Sequence, residues 1–155
     1  MIIAIPILIC FGMIYFFSSQ DNMQTNDLSR TFTEKIAGIL FRDFSAMNND
    51  IQNTIINELN LFIRKAAHFS VYLIMSMFIY AEAALWLKKY FLSGIISVGI
   101  CMIYAAADEF HQSLVPGRTP LVKDVFIDSC GALIGSIICF FIICAVYFIR
   151  NHREK

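Results

Sequence analysis

Charged residues are scarce in this sequence. Only 15% of its 155 residues are Asp, Glu, Lys or Arg, whereas 58% are hydrophobic. Ordinary water-soluble domains carry about 25% charged residues, so the composition excludes that class and indicates a membrane protein. The 12 basic and 12 acidic side chains balance, and without a basic excess we expect the lipid bilayer, and no nucleic acid, as a partner.

Several motifs of soluble enzymes and metal proteins are also missing. The five cysteines form no CxxC pair, so they indicate small packing residues and not a disulfide framework or a zinc site. There is no HExxH motif, and Asp108 with His111 supplies only part of a coordination shell, so we predict no metal site. The sequence leaves open whether a cofactor is bound. A Ser-Gly-His element, as in lipid phosphatases, is absent, and no serine or cysteine lies in a nucleophile elbow.

Long apolar runs are the main feature that is present. A helix needs about 20 mostly apolar residues to cross a bilayer, and four runs predict such spans, at about residues 2–19, 67–87, 91–107 and 125–149. The runs are continuous and do not alternate, which favours helices over strands. We therefore predict an all-α membrane protein with four transmembrane helices in a single domain over residues 1–155.

The first run has an alternative interpretation as a signal peptide. It has no basic region before "IIAIPILICFGMIYFF", and it is followed by "SSQDN" where a small-residue cleavage site is expected. These features favour a retained span.

The linker at residues 20–66 predicts amphipathic helices. "TFTE", at residues 31–34, fits a capping box that starts a helix. Apolar residues then recur at helical spacing, in one stripe at Phe32, Ile36, Ile39, Leu40 and Phe44 and a second at Ile51, Ile55, Ile56, Leu59 and Ile63. The second helix is expected to continue into the next span. Whether these helices lie on the membrane or pack together as an extramembrane cap stays open.

The orientation follows from basic residues next to the spans. With the N-terminus inside, the raw count of Lys and Arg is five inside against seven outside, which opposes that choice. However, "KK" at residues 88–89 and the "RNHREK" tail directly adjoin spans, where the positive-inside bias acts. We predict that both termini are cytoplasmic.

In this topology two polar motifs fall on the same outer face, "FIRKAAHFSVY" at residues 62–72 and "DEFHQSLVPGR" at residues 108–118. Arg64, His68 and Tyr72 follow each other at i, i+4 and i+8, so they form one line on a helix. Asp108, His111 and Gln112 share a face by the same rule, with Glu109 beside it. The fourth span adds Asp124 and Asp128, one turn apart, and "GALIG" after them is a small-xxx-small motif for close helix packing.

Ionisable groups at a membrane edge indicate a functional site unless they cancel in structural ion pairs. Both interpretations remain open for any single pair. Arg64, Lys65 and Arg118 suit an anionic headgroup, since a guanidinium binds phosphate or carboxylate through paired hydrogen bonds. We predict catalytic roles for His68, Asp108, Glu109 and His111 as proton carriers or their orienting acids. The ligand-binding candidates are Arg64, Lys65, Tyr72, Gln112, Arg118, Asp124 and Asp128.

Four elements together resemble the VanZ-like family of small membrane proteins. They are "YFFSSQ", "RKAAHFSVY", "DEFHQSLVPGR" and "DVFIDSCGALIG", in that order. The resemblance points to Arg64, Lys65, His68, Tyr72, Asp108, Glu109, His111, Gln112, Pro116, Gly117, Arg118, Asp124, Gly131 and Gly135. The family pattern usually has Asn where this chain has Asp128, which replaces an amide with a potential charge.

The resemblance implies a multi-pass protein of the bacterial cell membrane, linked with tolerance of teicoplanin-type glycopeptide antibiotics. It brings no settled reaction, so two function classes follow from the residues. The first is an enzyme that binds an anionic lipid or lipid-linked cell-wall precursor and performs acid–base chemistry. The second is a non-catalytic lipid-binding, flipping or structural partner protein.

Overall fold

The computed structural model describes residues 4–18, 22–115 and 121–153. Within these residues the chain is all-helical, with one short 3₁₀ turn at Phe44–Ala46 and no strand, which confirms the all-α part of the predicted fold class. The five helices are α1 (Ala4–Ser18), α2 (Asn22–Leu40), α3 (Asn49–Leu87), α4 (Tyr90–Gln112) and α5 (Val122–Arg153).

Three of these helices, α3, α4 and α5, are long and apolar enough to cross a membrane. Helix α1 is apolar but has only 15 residues, so it is about 22 Å long against a hydrocarbon core of about 30 Å. The predicted first span also includes residues 2, 3 and 19, which lie outside the described residues. The protein therefore has the helices of a membrane protein, and the count of four spans stays a prediction.

A tight connection makes α3 and α4 antiparallel neighbours. Only Lys88 and Lys89 separate the helices, and Lys88 adopts the left-handed conformation, with φ of 52°, that ends α3. Such short connections return a helix along its predecessor. Gly94 of α4 accordingly lies against the ring of Tyr80 on α3.

Helix α5 runs parallel to α3 and approaches its backbone closely. A Cβ atom added to Gly131 would collide with the Phe69 carbonyl oxygen, and one added to Gly135 would collide with the Leu73 carbonyl oxygen. Only glycine allows helix backbones to come this near, which is the packing that "GALIG" indicates. One turn further on, the Cys139 Sγ lies 3.7 Å from the Met77 carbonyl oxygen.

Helix α3 is continuous over 39 residues. Neither Gly nor Pro interrupts it, and the side chain of Asn48 accepts the backbone N–H of Asp50 at 3.4 Å at its start. Its first half packs on α2, where the Arg30 guanidinium donates to Asn53 Oδ1 at 2.7 Å. The second linker helix and the following span are thus one helix.

The start of α2 requires a correction. The "TFTE" pattern predicted a helix start at Thr31, but α2 begins at Asn22 and passes through Thr31 without a break. A capping box has no free backbone N–H groups to satisfy inside a continuous helix. Among residues 30–40, Thr33 and Ala37 are buried, whereas Ile39 and Leu40 of the predicted stripe are exposed. The amphipathic role of the linker stays a prediction.

Helix α1 runs alongside α4 in the same direction. The Tyr104 hydroxyl donates to the Phe11 carbonyl oxygen at 2.9 Å, and the two rings meet edge to face at 4.4 Å. Cys10 and Ile14 of α1 join Tyr72 and Cys101 in the main buried cluster. This packing places the end of α1 beside the end of α4, where Ser18 lies within hydrogen-bond distance of Gln112.

The close contact of α3 and α5 predicts that alanine destabilises the fold at one glycine and not at another. Gly135→Ala would push the two helices apart and destabilise the fold by about 1 to 3 kcal/mol, the usual cost of overpacking. Gly99→Ala is the matched control, because nothing lies within 4 Å of an added Cβ there. Thermal unfolding in detergent measures both; equal midpoints would contradict the close contact.

Candidate functional site

A polar cavity of about 200 Å³ lies between α3, α4 and α5, where α4 ends and α5 begins. Helix α3 passes this point in its middle, at the residues that precede its most apolar half. The polar residues that line the cavity are Arg64, Lys65, His68, Glu109, Gln112, Asp124 and Asp128. Leu61, Leu121 and Ile127 complete its wall. Seven side chains from three separate sequence motifs therefore share one space.

Two acid–base pairs join α3 to α5 across this cavity. Lys65 Nζ contacts Asp124 Oδ1 in a half-exposed salt bridge. His68 Nδ1 lies 3.7 Å from Asp128 Oδ2, and the Asp128 side chain is only 3% exposed. The pairs follow each other by one helical turn because the helices are parallel and both sequences repeat the polar residue after three or four positions.

The third acidic side chain of the cavity is also engaged. Glu109 is buried, and its Oε2 accepts the backbone N–H of Leu121 at 3.0 Å. A carboxylate at this position satisfies an unpaired N–H at the start of α5 and interacts favourably with the positive end of the helix dipole. Glu109 therefore links the end of α4 to the start of α5.

Arg64 differs from the other two basic residues of the cavity. Among the described residues its guanidinium makes no salt bridge, whereas Lys65 and His68 each face an aspartate. The side chain is partly buried in the cavity wall. A guanidinium is always charged and offers five donors, so within the part of the chain that the structure describes Arg64 is a cation of the cavity without an acidic partner.

A second polar network lies on the side of α4 that faces α1. The Gln112 side-chain amide donates to Asp108 Oδ2 at 2.9 Å and to Ser18 Oγ at 3.1 Å. All three residues are buried. Gln112 also lines the cavity, so it connects this network to the site. Asp108 accepts the hydrogen bond of the Gln112 amide without lining the cavity itself.

The structure does not bring every predicted site residue into the cavity. His111 stacks on Tyr15 of α1 at 5.1 Å, away from the cavity wall. Tyr72 is fully buried in the core, and its hydroxyl has no hydrogen-bond partner among the described residues. Successive helical residues are turned by about 100°, so Glu109 faces the cavity while His111 faces α1. Gln112 lies between these two directions, where it lines the cavity and also donates to Asp108 and Ser18. Arg118, with Pro116 and Gly117, lies outside the described residues.

Some contacts of the site carry no local sequence signal. Ser18 and Tyr15 belong to "YFFSSQ", an element of the family resemblance, but their spacing did not predict a contact with α4. Leu61 and Ile127 resemble any other apolar residue of their helices. The spacing of Asp124 with Asp128 predicted one shared helix face, whereas Lys65 was not part of the predicted line of Arg64, His68 and Tyr72. Among residues 4–18, 22–115 and 121–153, no group of three or more His, Cys, Asp or Glu side chains is placed to hold a metal ion.

Comparison with known families identifies the chain. A model of the VanZ/LLP1 family matches residues 3–144, which includes all seven polar residues of the cavity. The chain belongs to the VanZ/LLP1 family. With its three long apolar helices, this VanZ-like chain is a membrane protein. Neither the curated proteins nor the solved structures contain a match to it.

The His68–Asp128 pair predicts that a single substitution lowers stability more than the matching double substitution. His68→Leu leaves the buried Asp128 carboxylate without its partner and should lower the free energy of unfolding by about 1 to 3 kcal/mol. The double variant His68→Leu with Asp128→Asn should recover part of this loss, because an amide carries no charge that needs a partner. Equal stability of the single and double variants in detergent unfolding would show that the pair is not coupled.

Proposed function

We propose that this protein binds the anionic headgroup of a membrane lipid or a lipid-linked cell-wall precursor in the cavity between α3, α4 and α5. The observation that carries the proposal is that the Arg64 guanidinium has no acidic partner among the described residues, although it lines a cavity with three carboxylates. The three carboxylates of the wall are each engaged, by Lys65, by His68 and by the Leu121 backbone N–H. Arg64 is left without an acidic partner among the described residues.

The chemistry of a guanidinium determines which ligand fits. Its planar fork matches phosphate or carboxylate oxygens and binds them through two parallel hydrogen bonds. Next to Arg64, the Gln112 amide and the His68 ring add polar groups for the remainder of a headgroup. A phosphate or carboxylate on a lipid would thus complete the charge balance of the cavity.

The family gives this site its biological setting. The sequence resemblance links VanZ-like proteins with tolerance of teicoplanin-type glycopeptide antibiotics, which act on lipid-linked cell-wall precursors. We extend this to the present chain as part of the proposal, with a multi-pass arrangement in the bacterial cell membrane and both termini cytoplasmic. The cavity then opens at the outer face, where such precursors are used.

Binding by purified protein in phosphatidylcholine nanodiscs tests this function. Phosphatidic acid and undecaprenyl phosphate should bind, and Arg64→Gln should weaken both by roughly tenfold or more, the cost of losing charge-assisted hydrogen bonds. Arg42→Gln is the matched control, because Arg42 is exposed in the connection after α2 and away from the cavity. Equal affinity of the wild-type protein and the Arg64 variant would refute the proposal.

A second candidate function is acid–base catalysis at the same headgroup. The observation that favours it is the Asp128 carboxylate facing Nδ1 of His68, which orients the ring and leaves Nε2 for a bound molecule. This is the geometry in which a carboxylate supports a histidine that transfers protons. His68 would then be the proton carrier and Arg64 the anchor of the headgroup.

Turnover separates the two candidates. Labelled phosphatidic acid or a lipid-linked cell-wall precursor is incubated with the protein, and products are separated by chromatography. An enzyme should yield product that disappears in His68→Gln while binding persists, since Arg64 still holds the headgroup. Binding of the labelled lipid without any product would leave the non-catalytic function and eliminate the catalytic one.

A further inference from the structure

A second depression lies on the outside of the α4–α5 seam, next to the polar cavity. This apolar groove has a volume of about 520 Å³. Its wall comprises mainly Met102, Ala106 and Phe110 from α4 and Val122, Val125 and Phe126 from α5. Most of these side chains are exposed on helices that are long and apolar enough to cross a membrane, so the groove faces the lipid.

The groove and the polar cavity adjoin. Glu109 and Leu121 belong to the walls of both, and the hydrogen bond from the Leu121 N–H to Glu109 Oε2 lies at the junction. One side of this junction carries the charged side chains of the cavity, and the other carries almost only apolar surface. The polar cavity and the apolar groove thus meet at the point where α4 ends and α5 begins.

We infer that the groove holds an acyl or polyprenyl chain of the same lipid whose headgroup lies in the polar cavity. The inference rests on the proposed function and specifies its ligand class as a membrane-resident anionic lipid, whose soluble headgroup alone would occupy only the polar cavity. A molecule with an anionic head and an apolar tail matches the two adjoining compartments.

The physical basis of chain binding is packing and not the hydrophobic effect. A chain that moves from bulk lipid into the groove leaves an environment as apolar as the groove itself, so van der Waals contact supplies its stabilisation. Ordinary bilayer lipid can also touch the groove. The distinguishing property of the proposed occupant is therefore its dependence on Arg64, which lies in the cavity and does not touch the groove.

Photolabelling in bilayers measures this dependence without altering the groove. The probe is phosphatidic acid with a diazirine in its acyl chain, diluted into phosphatidylcholine nanodiscs, and labelled peptides are identified by mass spectrometry. We expect labelling of residues 102–110 and 122–129 to fall roughly tenfold in Arg64→Gln, in line with the lost charge-assisted hydrogen bonds. Labelling of residues 137–148, which include the exposed Phe141 and Phe148, should not change.

Two substitutions test the groove itself. Ala106→Phe fills it and should reduce phosphatidic acid binding severalfold while glycerol 3-phosphate, the soluble headgroup, binds as before. Ala107→Phe is the matched control, because Ala107 is exposed on the adjacent face of α4 and lines neither compartment. A chain-labelled phosphatidylcholine probe supplies the background of lipid that only surrounds the protein.

The outcomes separate this inference from the proposed function. If glycerol 3-phosphate binds through Arg64, but groove labelling is equal for both lipids and independent of Arg64, the groove contacts bulk lipid only and the inference is wrong. If neither phosphatidic acid nor glycerol 3-phosphate binds, the proposed function fails and the inference with it. Loss of groove labelling in Arg64→Gln, with unchanged labelling elsewhere, supports both.

Discussion

The backbone contact between α3 and α5 is the constraint on which the site depends. Gly131 and Gly135 let α5 reach the carbonyl oxygens of Phe69 and Leu73, and this fixes the register of two parallel helices. In that register Asp124 meets Lys65 and Asp128 meets His68 one or two turns before the glycines. Larger residues would separate the helices and with them both acid–base pairs. The cavity is therefore a consequence of packing deeper in the bundle.

The pairing of the charged side chains in the site follows from the free-energy cost of placing an ionised group next to lipid. An unpaired ionised group at or inside a bilayer is unfavourable, so most such groups pair with each other or face water. Here each acidic residue of the cavity wall has a donor, and the basic residues other than Arg64 have an acidic partner. Arg64 is only partly buried, so its charge remains partly solvated. Among the described residues, the cavity thus combines ion pairs with a guanidinium that has no acidic partner.

The sequence predicts the helices well because their signals are local. Apolar runs, the absence of Gly and Pro in α3 and the two-residue turn at Lys88 each act within a few residues. The polar motifs also predict a common location, since i, i+3 and i+4 spacing places side chains on one helix face. What the sequence cannot give is the rotation of α4 about its axis. That rotation turns Glu109 toward the cavity and His111 toward Tyr15. It depends on how α1 packs against α4, and no local sequence pattern encodes this packing. The helix start predicted from the capping box at Thr31 is wrong because α2 begins at Asn22 and Thr31 lies inside it.

The length of α3 explains the position of the polar cavity in the bundle. Its 39 residues make a helix about 58 Å long, nearly twice the thickness of a hydrocarbon core. Only its second half, after His68, is suited to that core, and its first half packs on α2 beyond it. The cavity lies at the boundary between the two halves, level with the end of α4 and the start of α5. At this boundary a lipid has its headgroup in the polar layer and its chain in the core. The polar cavity and the apolar groove show the same division on the two sides of the Glu109–Leu121 hydrogen bond, which supports our proposal that one lipid occupies both compartments.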